Sequence, residues 1–265
     1  MFILKVASIM ATFFIFTEFR LTTMRIRFGL NITLMLFALY SCGPNNVSTP
    51  VAVKKVEIPE KNGFQLKIDS LKDAAAAGDL VVRLGDDMLS YSIRFLSQKD
   101  PAFSHAGIVV EREGRKLVCH IAPDEDGADT IRYDVLDSFI NPAKNLMCAL
   151  YRYNLSAAER ETFVGKLSQV GNNKIHFDRV YDLATDDLLY CSEMIAKSLK
   201  SATNGRITIK ESFLPKRMLP LMYSYFKKEN ASKQVIAQRK YVSLDNLYLT
   251  PGCSQIMRFP LQATN

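Results

Sequence analysis

The sequence predicts an α+β fold, and two observations support this assignment. Short runs rich in β-branched and aromatic residues recur between positions 79 and 153, and several are joined by hairpin-like turns. Segments with helical spacing of apolar residues flank these runs, the two strongest at about 156–171 and 187–199. Helices that flank a series of hairpin-linked strands are typical of an antiparallel sheet packed against helices.

Composition limits the classes of protein to which the chain can belong. It has 265 residues, of which 48% are hydrophobic and 23% charged, as in ordinary globular proteins. The net charge is +7, of which +3 lies in residues 1–41. No basic run with interleaved aromatic residues occurs, so nucleic-acid binding is not predicted. The mildly basic remainder fits a soluble surface or attraction to an anionic membrane or cell wall.

Residues 1–41 are predicted to be an export signal. Arg25 and Arg27 precede an apolar core of about a dozen residues, as in such signals, and Leu-Tyr-Ser then leads into Cys42. This arrangement resembles a bacterial lipoprotein box, in which Cys42 would be lipidated and anchor the protein to the membrane. Because Met24 directly precedes Arg25, translation is expected to start there. The alternative is a transmembrane helix, but the apolar run is shorter than the about 20 residues that a span needs.

The rest of the chain divides into a tether and one folded domain. Residues 42–65 begin with a Gly, Pro, Asn, Ser and Thr-rich stretch that is typical of a flexible linker. Residues 66–265 are about 200 residues, which suits a single domain with a sizeable core. The predicted protein is therefore an exported, membrane-anchored monomer of the cell envelope.

The first half of this domain carries recognisable local signals. Residues 70–78 predict a short helix, capped by Ser70 or Asp69 and ended by Gly78, and residues 79–83 predict a strand. A helical stripe over residues 86–96 is expected to face the core. Its apolar members are Met88, Leu89, Ile93 and Leu96.

Further strands and two helices follow. Residues 106–110 and 116–121 predict a hairpin across Glu113-Gly114, and residues 130–135 and 146–153 predict two more strands. A capping box from Ser156 to Glu159 opens a helix to about residue 171. A second helix is expected at 187–199, whereas 205–265 mixes short signals of both kinds.

Five cysteines are present, including Cys42. No pair has the spacing of metal ligands, so neither a metal site nor another cofactor is predicted. Cys119, Cys148 and Cys253 lie in or beside apolar segments, where buried thiols are expected. Whether any of these three forms a disulfide in an oxidising compartment is left open by spacing alone.

Two of the three histidines lie on the predicted hairpin. If Glu113-Gly114 is a two-residue turn, Arg112 pairs with Arg115. In that register His105 and His120 share one face as diagonal neighbours, within reach of each other. A three-residue turn would place the two side chains on opposite faces. In the register of a two-residue turn, the two histidines can act together in a site. The alternative is that each is a separate, partly buried polar residue.

Cys191 is the predicted nucleophile of a cysteine hydrolase, with His105 as its base. Asp186 or Asp187 can cap the helix, which would place Cys191 in or near the first turn. Unsatisfied N–H groups and the positive end of the helix dipole favour a thiolate there and are expected to lower its pKa. The same N–H groups can stabilise an oxyanion on an attacked carbonyl.

The motifs that carry these residues resemble a known family. Gly78-Asp-Leu, Ser104-His-Ala-Gly-Ile-Val109 and Tyr190-Cys-Ser-Glu193 follow in the order of the permuted papain-like amidases of the YiiX/YaeF type, over roughly residues 70–215. These are relatives of the NlpC-like peptidases and of lecithin–retinol acyltransferase-like enzymes. The resemblance implies a circularly permuted papain-like fold, with an antiparallel sheet or small barrel packed against helices.

The same resemblance assigns site residues. It implies Cys191 as nucleophile, His105 as base and His120 as the third polar residue, where many relatives carry Glu. A neutral imidazole can accept the hydrogen bond that fixes the His105 tautomer. Glu125 is an alternative for this third role.

Residues near these three carry smaller expectations. Tyr190 and Ser192 flank the nucleophile and are expected at the oxyanion or substrate site, with packing as the alternative for Tyr190. Glu193 is expected to cap or brace the helix. Asp178 and Tyr181 are expected to line the cleft. His176 is expected at the surface, and the acidic run at 124–126 is expected to be a solvated loop.

The envelope location favours peptidoglycan peptides as the substrate, cleaved at an amide through a thioacyl intermediate. Hydrolysis or transfer of a lipid acyl amide or ester is a second possibility, because the acyltransferase-like relatives handle lipids. A third is a binding lipoprotein that keeps the fold and does not turn over.

Overall fold

The computed structural model describes residues 63–123, 129–172, 175–226 and 232–262. The predicted export signal, Met24, Cys42 and nearly all of the predicted tether lie outside these residues, as do Glu125 and the acidic loop at 124–126. No helix among the described residues is long and apolar enough to cross a membrane.

The strands and helices follow one another in an α+β order. The β-strands are β1 (Leu80–Gly85), β2 (His105–Arg112), β3 (Arg115–Ile121), β4 (Ile131–Val135), β5 (Asn145–Tyr153), β6 (His176–Phe177), β7 (Leu188–Leu189), β8 (Ser212–Phe213), β9 (Lys240–Tyr241) and β10 (Cys253–Pro260). The helices are α1 (Gly63–Ala74), α2 (Met88–Ile93), α3 (Leu136–Phe139), α4 (Ala157–Asn172), α5 (Cys191–Ala202), α6 (Leu219–Phe226), α7 (Lys233–Gln238) and α8 (Leu244–Tyr248). Arg94–Leu96 and Lys216–Met218 are 3₁₀ turns.

The central sheet has six antiparallel strands in the order β10-β5-β1-β2-β3-β4. The predicted α+β class and antiparallel sheet are confirmed. Since β10 and β4 form the two edges, the described strands make an open sheet and not a small barrel.

Each face of the sheet packs against different helices. One face carries Val81, Val109 and Val118 and is covered by α1 and α3. The other carries Ala106 and Ile108 and is covered by α4, α5 and parts of the C-terminal segment. Side chains alternate between faces along each strand, so the residue number on a strand decides which helices a side chain meets.

Two predictions for the first helices were wrong. The first helix, α1, spans Gly63–Ala74, so Ser70 lies inside it, and the Ser70 hydroxyl bonds to the Leu66 carbonyl one turn back instead of capping a helix start. Asp87 caps α2 by accepting from the Ser90 N–H. That start leaves Met88 77% exposed and Leu89 54% exposed, although both were expected in the core.

The stripe that contained them still reaches the core at its other end. Leu96 is buried and Ile93 packs against the core. Helix α2 has only six residues, which is too short to carry one continuous buried stripe along residues 86–96.

The helix predicted at 187–199 begins later, at Cys191. Residues Leu188–Leu189 instead form β7, which pairs in parallel with β6. The Asp178 N–H donates to the Leu189 carbonyl at 3.0 Å and extends this pairing. The capping residue of α5 is therefore Tyr190 and not Asp186 or Asp187.

The other sequence signals correspond closely to the structure. The Ser156–Glu159 capping box forms in both directions, since each backbone N–H donates to the other residue's side chain. Cys119, Cys148 and Cys253 are free thiols, the first two buried and the third partly exposed.

Candidate active site

The β2–β3 hairpin places the two histidines on one face. Glu113 and Gly114 form its turn with φ values of 51° and 69°, the left-handed conformation of a two-residue hairpin turn. Arg112 pairs with Arg115, which is the register predicted for a two-residue turn.

Close approach of the strands at the histidine level needs a glycine. A Cβ on Gly107 would lie 2.4 Å from Cγ1 of Val118 and 3.1 Å from Cβ of His120. The glycine in the Ser-His-Ala-Gly motif therefore makes room for His120.

His105 and His120 are hydrogen-bonded to each other. Nε2 of His105 lies 3.0 Å from Nδ1 of His120, and the rings meet edge to face with centroids 5.0 Å apart. Both rings also pack on Phe139 of α3. His105 Nδ1 has no hydrogen-bond partner within the described residues.

A third polar side chain, missed at the sequence level, extends this pair. Nε2 of His120 lies 3.0 Å from Oδ2 of Asp134. His120 is 2% exposed, whereas the Asp134 side chain, on the edge strand β4, is 43% exposed. The register that pairs Val118 with Asp134 brings the carboxylate diagonally next to His120. The long connection before β4 gave no register from which this contact could be predicted.

The electrostatic surroundings keep both imidazoles neutral near pH 7. Burial lowers the pKa of His105 well below its ordinary 6.5, and the positive charges of Arg83 and Arg132 act in the same direction. Arg83 is the cross-strand partner of His105. Burial also lowers the pKa of His120, against the opposing effect of the Asp134 hydrogen bond.

Cys191 is the first residue of α5 and is partly exposed. Burial of the thiol raises its pKa to about 11. The backbone N–H groups of Ala106, Ser192 and Cys191 itself oppose this increase, as does Arg83. The predicted lowering of the Cys191 pKa is therefore wrong, because desolvation of the thiolate outweighs the helix start.

The thiol approaches β2 one residue after His105, at the Ala106 N–H. Alternation places the His105 ring on the face covered by α1 and α3, whereas α5 covers the other face. No hydrogen bond joins Cys191 Sγ to the His105 ring among the described residues. The structure thus brings the predicted nucleophile and base to the same strand end, as a neutral pair without an ion pair.

Tyr190 and Ser192 both bind the backbone of Val242. The buried Tyr190 hydroxyl accepts the Val242 N–H at 2.7 Å, and the Ser192 hydroxyl donates to the Val242 carbonyl at 2.7 Å. The expectation that these side chains serve an oxyanion is corrected, since both attach the C-terminal segment to the start of α5. The backbone N–H of Ser192 is still directed at the thiol.

Three other residues lie around the start of α5. Asp178 is fully buried and orders its own loop by accepting the Val180 and Asp182 N–H groups. Tyr181 packs on Tyr190 with ring centroids 4.7 Å apart and the ring planes tilted by 49°. Glu193 is buried, with a carboxyl oxygen 2.9 Å from Nζ of Lys197 one turn further along α5, and it therefore braces the helix.

His176 and possible metal ligands complete the candidate residues. His176 is exposed on β6, in agreement with its predicted surface position. In the part of the chain that the structure describes, no three His, Cys, Asp or Glu side chains are grouped so that they could hold a metal ion.

Comparisons with known proteins support the fold. No family model and no curated protein matches the sequence. Among solved structures, the metalloprotein YiiX of Escherichia coli O157:H7 is similar to this chain, with a TM-score of 0.56 and 17% identity. The alignment covers 70% of this chain and 98% of YiiX. The chain therefore has a YiiX-like fold.

Proposed function

We propose that the protein is a cysteine hydrolase of the bacterial envelope with Cys191 as nucleophile, His105 as base and His120 as the partner that orients His105. The observation that carries the proposal is the hydrogen-bonded histidine pair at the start of β2, where the next residue meets the thiol at the start of α5. A nucleophile, a base and an orienting group in this order are the parts of a cysteine hydrolase site.

The proposed first step transfers a proton as the carbonyl is attacked. The His105 nitrogen that does not bond to His120 takes the thiol proton while Sγ bonds to the carbonyl carbon. Because the pKa of Cys191 is raised to about 11, this transfer accompanies the attack and no stable ion pair precedes it. His105 is the first residue of β2, so this transfer takes place around the end of the strand, where the thiol and the ring must approach to hydrogen-bond distance when substrate is bound.

The tetrahedral intermediate then collapses to a thioester. The N–H groups of Cys191 and Ser192 can bind its oxyanion. The carbon–nitrogen bond breaks, and protonated His105 gives its proton to the leaving amine. Water, deprotonated by His105, attacks the thioester, and the thiol is regenerated as the acid is released.

The order of His105 before Cys191, together with the YiiX-like fold, supports a circularly permuted papain-like, NlpC-like arrangement. The predicted export signal and lipidation at Cys42 support an envelope location. An amide in a peptidoglycan peptide is then the proposed substrate.

A lipid acyl amide or ester is the second candidate. Helix α2 directly follows β1, which carries Arg83, and exposes Met88, Leu89 and Tyr91. An exposed apolar group of this kind beside the site would suit an acyl chain or a lipid surface.

Substrate class can be tested by incubating the protein separately with peptidoglycan fragments and with lipid extracts, followed by mass spectrometry. We expect product in one pool from the wild type and none from Cys191→Ser or His105→Ala. Cys253→Ser is the matched control, since Cys253 is also a free, partly exposed thiol, and it should retain the activity. Binding without any Cys191-dependent product would overturn the enzyme proposal in favour of a binding lipoprotein.

A further inference from the structure

The His105–His120–Asp134 chain has a defined order of donors and acceptors. An ionised carboxylate can only accept hydrogen bonds, and the hydrogen bond from His120 lowers the pKa of Asp134. The 3.0 Å contact between Oδ2 of Asp134 and Nε2 of His120 therefore requires the proton on His120 Nε2. A neutral His120 then has a lone pair on Nδ1.

The tautomer of His120 determines the tautomer of His105 through the hydrogen bond between the two rings. Since His120 Nδ1 can only accept, the 3.0 Å contact with His105 Nε2 requires the proton on His105 Nε2. In a neutral His105 ring, the lone pair must then lie on Nδ1. That nitrogen has no partner among the described residues and is free to take a proton.

We propose that Asp134 is a positioning residue that fixes the tautomers of both histidines and thereby makes Nδ1 the basic nitrogen of His105. The effect of Asp134 on catalysis rests on the proposed function, whereas its effect on the two tautomers does not. The carboxylate acts through His120 and touches neither His105 nor Cys191.

The other charged groups around the pair do not supply this choice. Arg83 on β1 and Arg132 on β4 are cations that disfavour protonation of the histidines, and Arg83 Nη1 donates to Asn145. A positive charge changes how readily a ring becomes protonated, but only an acceptor at His120 Nε2 selects the tautomer. Within the described residues, Asp134 is the acceptor at that atom.

Long-range ¹⁵N NMR of the imidazole rings tests the proposal directly near neutral pH. The chain has three histidines, so a His176→Gln background leaves the two rings of interest. We expect both wild-type rings to carry the proton on Nε2. In Asp134→Ala both tautomers of His120 and His105 should become populated. The side chain is 43% exposed, so its removal should leave the fold intact.

Asp137→Ala is the matched control, since Asp137 is an exposed neighbour on α3 that pairs with Lys72. It should leave the NMR signals of both rings unchanged. On the substrate found for the wild type, Asp134→Ala should lower kcat about tenfold, by loss of the orienting group, with KM little changed.

The outcomes separate this inference from the proposed function. Unchanged tautomers in folded Asp134→Ala would overturn the role of Asp134 even if Cys191 proves to be the nucleophile. A tautomer change in Asp134→Ala, in a protein without Cys191-dependent turnover, would support the role of Asp134 and contradict the hydrolase.

Discussion

The β2–β3 hairpin and the start of helix α5 carry the two halves of the candidate site, and contacts of different range hold them. In the hairpin, a two-residue turn and the missing side chain of Gly107 set the register within 16 residues of sequence. The start of α5 is held by Val242, some 50 residues away along the chain. Local chemistry thus fixes the histidines, whereas the cysteine depends on distant packing.

The two halves also respond oppositely to pH. In the hairpin, the pKa of His105 is lowered by burial, so the unfolded chain takes up a proton first and the folded state loses stability as pH falls through about 6.5. Beside Cys191, burial raises the pKa of Glu193 from 4.5 to about 7. Its stabilising effect is present at low pH and is lost as pH rises through that range.

The largest predicted effect tests this difference through Glu193→Gln. Between pH 4.5 and 7 the folded wild type keeps a proton on Glu193 that the unfolded chain releases. The stability of the wild type relative to Glu193→Gln should therefore fall by about 3 kcal/mol across this range. Urea unfolding at several pH values measures it.

Glu159→Gln supplies a comparison of opposite sign, because Arg206 lowers the pKa of Glu159 to about 2. The wild-type advantage over that variant should be present above pH 4.5 and decline below it. If the stability difference for Glu193→Gln does not vary with pH, the buried carboxyl is not the source of the contrast.

The second prediction concerns the hairpin and Gly107→Ala. The added Cβ would meet Cγ1 of Val118 and Cβ of His120, so the strands must separate, at a cost of about 2 kcal/mol. Urea unfolding should show this loss, and the ring signals of His105 and His120 should shift. Gly165→Ala is the control, since nothing lies within 4 Å of its Cβ and a helical alanine should add about 0.5 to 1 kcal/mol. Equal stability of both variants would contradict the proposed need for a glycine opposite His120.

The features that the sequence could predict are those held by local contacts, as in the hairpin. The turn at Glu113-Gly114, the histidine pair and the Ser156–Glu159 capping box depend on neighbours in the chain, and all appear as predicted. Asp134 could not be found, because its place depends on the register of a strand that follows a long connection.

The start of α5 shows the converse limit. Pairing between β6 and β7 takes residues that were assigned to the helix, and a backbone near position 242 takes the Tyr190 and Ser192 hydroxyls. The raised Cys191 pKa also reflects burial by the surrounding fold, which a helix start considered alone does not contain. The residues next to Cys191 in the sequence therefore predict neither these distant contacts nor the burial of the thiol.

The smallest predicted effect tests how the distant segment holds the cysteine. Tyr190→Phe removes the hydroxyl that accepts the Val242 N–H and keeps the ring that packs on Tyr181. The buried N–H loses its partner, at a cost of about 1 kcal/mol, measured by urea unfolding. Tyr91→Phe, at an exposed ring on α2, should leave stability unchanged. If Tyr190→Phe also leaves stability unchanged, the packing of α5 rather than the Val242 hydrogen bond holds the cysteine. The difference between the start of α5 and the locally fixed hairpin would then rest on apolar contacts alone.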